Sequence, residues 1–136
     1  MASFIYDKAR QKFLDADIDW SAHNIKLLLV KSTYTPVQAT DDFLSIIAGA
    51  NRLTNSTSGN FAGKTSTAGV ADADDVSVTP DAGQTGVAIV IYRDSGVEAT
   101  SELIAYIDTG TGLPITTNGA AVDIIWSSGA TKIFKL

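Results

Sequence analysis

The chain has 136 residues, no cysteine, one histidine and a formal net charge of −5, a length that suits one domain with its own buried core. The absence of cysteine excludes disulfides, thiolate metal sites and thiol nucleophiles, and a single histidine excludes a multi-histidine metal centre. Hydrophobic residues reach 45% against 18% charged, too apolar for disorder, and the acidic balance opposes attraction to nucleic-acid phosphates.

Residues 3–16 read as a helix. Ile5, Ala9 and Phe13 recur at four-residue spacing, Phe4 and Leu14 widen the stripe, and Ser3 is placed to cap the first turn. Asp7, Lys8 and Arg10 stand where a secretory signal would need its apolar stretch, so no signal peptide is expected. Asp15, Asp17 and Asp19 favour a turn that ends the helix. Residues 24–31 (NIKLLLVK) form a strand whose centre is apolar on both faces, and its apolar run is far shorter than the ~20 residues of a membrane span. Residues 41–47 carry the signals of a short helical turn, with Thr40 as cap and Gly49 as stop.

From 51 to 71 the sequence is rich in Ser, Thr, Gly and Asn, with Leu53, Phe61 and Val70 as sparse anchors. It reads as surface loop with short strands. Further strands follow at 75–80, 85–93 and 101–108, the last two joined through Asp94, Ser95 and Gly96 as a hairpin. A turn cluster at 109–114 precedes strands at 121–128 and 131–136, for which an internal hairpin about Gly129 is expected. In the first of these, Val122, Ile124 and Trp126 share one face and Asp123 and Ile125 the other. The whole predicts a mainly β, single-domain antiparallel sandwich or barrel-like fold with one N-terminal helix.

Residues able to carry chemistry are few. Asp15, Asp17 and Asp19 resemble the start of a calcium loop, but the sixth and twelfth positions hold Trp20 and Lys26 instead of Gly and Glu. A solvated turn is the expectation, with a looser calcium site as the alternative. Asp72, Asp74 and Asp75 could divide acid and base roles only with a cleft to set them apart. His23 has no G-x-S-x-G elbow to accompany it. Gly63-Lys64-Thr65 ends like a phosphate-binding loop, yet Ser58 stands where its first Gly belongs. Asn55-Ser56-Thr57 matches a glycosylation triplet that has no use without secretion. Among the aromatics, Tyr92, Tyr106 and Trp126 belong to apolar strands and the core, whereas Trp20 and Tyr34 lie in more polar sequence and are the surface candidates.

The segments YDKARQKFLDADIDW, IKLLLVK, GVADADDVSVTP, VIYRDSG, TSELIAYIDTGTGLPIT and WSSGATKIFKL together resemble a family of short virion structural proteins of tailed bacteriophages, similar to capsid decoration (cement) proteins. The likeness runs from the N-terminal helix to the last residue and skips mainly the stretch 51–68. None of these segments is a catalytic or ligand-binding motif. The resemblance implies a non-enzymatic protein without cofactor that bridges coat subunits, with the major capsid protein as partner. It also implies a homo-oligomer, taken as a trimer on a local threefold axis, on the outer capsid surface after synthesis in the host cytoplasm. No nucleic-acid or membrane partner is expected. Tail or head-fibre components and a carbohydrate-binding adhesion module are the alternatives. Partner contacts are expected at Trp20, Tyr34, Phe61 and Lys64.

Overall fold

The longest apolar runs of the sequence become the longest strands. The computed structural model describes residues 3–136. In chain order its elements are β1 (Phe4–Ile5), α1 (Asp7–Leu14), β2 (Ile25–Val30), β3 (Thr65–Thr67), β4 (Val70–Asp72), β5 (Val76–Val78), β6 (Thr85–Gly86), β7 (Ala88–Arg93), β8 (Leu103–Ile107), β9 (Ile115–Thr116), β10 (Val122–Ile124) and β11 (Phe134–Lys135). Three short 3-10 turns lie at Leu44–Ile46, Gly49–Asn51 and Glu98–Thr100. The fold is mainly β with one helix, as expected, and every strand pair is antiparallel.

The central sheet has the order β1-β8-β7-β2. Cross-strand partners share a face, so Leu29, Ile89 and Ile107 form one row, and Leu28, Val90 and Tyr106 form a row on the opposite face. Both rows consist of buried or half-buried residues. That explains why β2 and β7 read as continuous apolar runs without the alternation of a half-exposed strand. Ile91 pairs with Ala105 but Tyr92 with Leu103, so Ile104 is the extra residue of a bulge.

The outer edge of β2 is covered by the polar stretch that follows Asn51. Leu53 and Phe61 donate their amides to Leu29 and Ile25, and Ser58 donates its amide to Leu27, at 2.8 to 3.0 Å. The Leu27 and Leu29 amides are taken by the hydroxyls of Ser58 and Ser56 at 3.0 and 3.1 Å. Both serines are buried. This Ser-rich segment is therefore an irregular strand substitute that closes a sheet edge, with Leu53 and Phe61 anchored in the core.

Several boundaries differ from the sequence reading. The helix begins at Asp7, because Phe4 and Ile5 pair with Tyr106 and Ala105 of β8. Ser3 is not its cap; the Ser3 hydroxyl accepts the Asp108 amide at 3.1 Å. The helix ends in a Schellman motif: the Asp17 amide reaches Lys12 at 2.8 Å, the Ala16 amide reaches Phe13 at 3.3 Å, and Ala16 adopts φ +63°. The expected turn over 41–47 shrinks to Leu44–Ile46 without a side-chain cap. The strand 85–93 splits, since Gly86 packs against Leu53 and its strand turns to pair with β9, while Ala88–Arg93 continues in the central sheet.

The expected C-terminal hairpin does not form. β10 pairs with β5 and β11 with β4, so the two last strands join different ribbons. Lys132, at φ +43° and in an ion pair with Asp72 at 3.2 Å, redirects the chain between them. Phe134 then packs edge-on against Trp20 with ring centroids 5.2 Å apart. The gain from seating that ring among aromatics outweighs a local two-strand turn.

Candidate functional site

Burial decides the fate of the expected contact residues. Trp20 is 5% exposed, Tyr34 6% and Phe61 5%, so none of the three offers its ring to a partner. This corrects the surface assignment of Trp20 and Tyr34 and the contact assignment of Phe61. Polar sequence misled because it surrounds each ring without solvating it: Trp20 packs between Phe61 and Phe134, while Tyr34 lies against Tyr106 with its hydroxyl bonded to Tyr6 and Asp41. Lys64 is half-buried, and its ammonium donates to the His23 carbonyl. Loss of water around it lowers its pKa from the usual lysine value.

Most of the rings fall into two groups. Phe13, Phe134, Trp20, Phe61 and Trp126 form a chain of contacts with centroid separations of 6.1, 5.2, 6.0 and 5.7 Å. Phe4 stacks on Tyr106 at 5.4 Å, with Tyr6 and Tyr34 beside them. In this second group the Tyr34 hydroxyl donates to the Asp41 carboxylate at 2.7 Å, so the Tyr6 hydroxyl donates to Tyr34 at 2.8 Å. The same Asp41 oxygen accepts the Val37 amide at 2.9 Å. Burial pushes the hydroxyl pKa of Tyr6 and Tyr34 well above the ordinary tyrosine value.

The acidic clusters serve the fold. Asp19 accepts the amides of Ser21 and Ala22, both at 3.0 Å, and its own amide donates to His23 Nδ1 at 3.0 Å. That bond makes Nδ1 an acceptor and places the proton on Nε2. In the second cluster the carbonyls of Asp72 and Asp74 accept the indole N–H groups of Trp20 and Trp126 at 3.3 and 3.1 Å. The Asp75 carboxylate takes the Trp126 amide at 2.9 Å. Gly63, at φ +62°, lies so close to the Asp74 carboxylate that a Cβ would collide with it. The following residues enter strand β3, not the helix that a phosphate-binding loop requires. Among the described residues no group of three or more His, Asp or Glu is arranged to hold a metal ion, and no helix is long and apolar enough to cross a membrane.

The feature the sequence did not reveal is a cleft of about 640 Å³ beside β10. Its floor is the Leu29, Ile89 and Ile107 row of the central sheet, and one wall is the turn cluster after Ile107, including Leu113 and Ile115. The opposite wall is the run from Val122 to Ser127. Six consecutive residues, Val122 to Ser127, line the cleft, from both faces of the strand, so the cleft follows the strand edge. Ile125 at its mouth is 75% exposed. Other exposed apolar side chains include Leu14 at the helix end, Ile46 in one 3-10 turn and Val97 just before another, the two turns being in contact. The alternation of exposed Asp123 and Ile125 with half-buried Val122 and Trp126 and buried Ile124 was legible, but that the strand would keep one edge open was not. Comparison with known proteins finds no matching family model and no curated protein of significantly similar sequence.

Proposed function

We propose that the protein is a non-enzymatic structural component of a tailed-phage virion that decorates the capsid and cements it by bridging coat subunits. The observation that carries the reading is the chain-wide resemblance of six segments to such proteins. Those segments supply the framework: α1, the central strands β2, β7 and β8, β4, β5, and the C-terminal β11. The side chains with the most chemistry also fit a structural role, since Asp19, His23, Lys64, Asp72 and Asp75 each bond within the fold.

A protein that binds the assembled lattice in preference to free subunits stabilises the lattice by mass action. Repeated contacts from a homo-oligomer, a trimer on a threefold axis in this reading, multiply the effect through effective concentration. The partner is the major capsid protein and the location the outer shell. Quantitative mass spectrometry of purified particles tests this. A copy number in fixed proportion to the coat protein supports a shell protein, and a few copies per particle would move it to the tail or a vertex. Particles lacking the protein should also lose their contents at a lower temperature than complete ones.

A further inference from the structure

We infer that the cleft beside β10 is a docking groove for an extended segment of a different polypeptide, which pairs with the free edge of β10 and sets a basic residue against Asp123. For the partner's identity the inference rests on the cement reading. β10 belongs to a two-stranded ribbon and, among the described residues, pairs on one edge only, with β5. The cleft runs along that strand rather than over one face, so an incoming chain can reach backbone groups as well as the apolar floor of Leu29, Ile89 and Ile107. The three residues of β10 give roughly 10 Å of edge at ~3.3 Å per residue, and the lining continues to Ser127. Ile125, exposed at the mouth, would lose its water contact when the groove fills.

Charge selects the occupant. Asp123 is exposed, lines the cleft and makes no ion pair among the described residues. Lys132, the cation that also lines it, is already paired with Asp72. A second copy joining edge to edge through this short strand would bring its own Asp123 close to the first, and like charges across strands are unfavourable. A segment with alternating apolar side chains and one Lys or Arg meets the floor, the edge and the acid together.

The test uses the full chain and two probes. The first is a capped peptide alternating Val with Thr and carrying Lys at one Thr position, with a twin carrying Glu there; the second is coat shells stripped of this protein. With the Lys peptide, the amide resonances of Asp123 and Ile125 should shift and gain exchange protection. Asp123→Lys, Ile125→Asp and the Glu peptide should each weaken binding roughly tenfold or more. Both substitutions are at exposed positions, and unchanged thermal midpoints establish that the variants fold. No shift in β10 at millimolar peptide, or equal binding by both variants, overturns the groove. Protection of β10 that grows with protein concentration alone makes the occupant a second copy and overturns the choice of partner. Shells that rebind the wild type and both variants equally overturn the groove as the coat contact while leaving the cement reading intact. Shells that reject the wild type, with peptide binding retained, overturn the cement reading and leave the groove.

Discussion

The central sheet and the ribbons around it are both antiparallel β-structure, yet they are held by different forces. β2, β7 and β8 run five or six residues each, with side chains buried on both faces and an apolar partner at almost every register position. The ribbons run two or three residues, are half exposed, and are fixed by polar side-chain bonds at their ends. Removal of apolar area from water dominates the first region. In the second, indole N–H groups donating to Asp72 and Asp74, the Asp75–Trp126 bond and the Lys132–Asp72 pair do the positioning. Hydrophobic patterning therefore specifies the sheet, while single donor–acceptor pairs, joined by anchoring contacts such as Phe134 on Trp20, specify the ribbons.

The sharpest way to break this contrast is to cut the sheet. Leu28→Ala removes a side chain that is 1% exposed in a closed row and should cost about 2–5 kcal/mol in denaturant unfolding. A loss as small as that of a ribbon substitution would contradict the distinction. Alkali should attack the same region. Burial raises the pKa of Tyr6, Tyr34 and Tyr106 and lifts Tyr92 to about 12. In the unfolded chain these hydroxyls lose their protons near pH 10, while the folded state still holds them. Stability is thus fully present below about pH 10 and falls as the pH rises toward 12. Denaturant midpoints across that range should drop steadily, and Tyr92→Phe should flatten part of the slope.

Smaller changes probe where polar bonds take over. Ser58→Ala leaves the Leu27 amide of the covered β2 edge without its acceptor and should cost about 1–3 kcal/mol. Trp126→Phe keeps the aromatic contact with Phe61 but deletes the bond to the Asp74 carbonyl. The expected loss is about 1 kcal/mol, with faster amide exchange in β10 and β5 and none in β7. At the bottom of the scale, Ala16→Gly relieves a left-handed residue in the Schellman turn and should stabilise by about 0.5 kcal/mol, the relief exceeding the added chain entropy.

What could be read beforehand follows the same line. β2, β7 and β8 and the hairpin between the last two were visible because long apolar runs and a Gly-containing turn leave few other solutions. The start of α1 was misplaced since Phe4 and Ile5 suit a helix stripe and a strand equally, and only the β8 edge decides between them. The pairing of β10 and β11 depends on contacts between residues more than fifty apart in sequence, such as Trp126 with Asp74 and Lys132 with Asp72, which no local pattern encodes. The site was hidden for a related reason. Trp20, Tyr34 and Phe61 turned inward, and the cleft arises where six separate stretches of chain meet around a strand edge.

The measurement that bears most directly on the account is cryo-electron microscopy of intact particles with this chain traced in the density. The account predicts density on the outer shell, bridging neighbouring coat subunits, with an extended coat segment beside Asp123 and Ile125. Density confined to the tail or to one vertex, or a shell that lacks the chain, would contradict it.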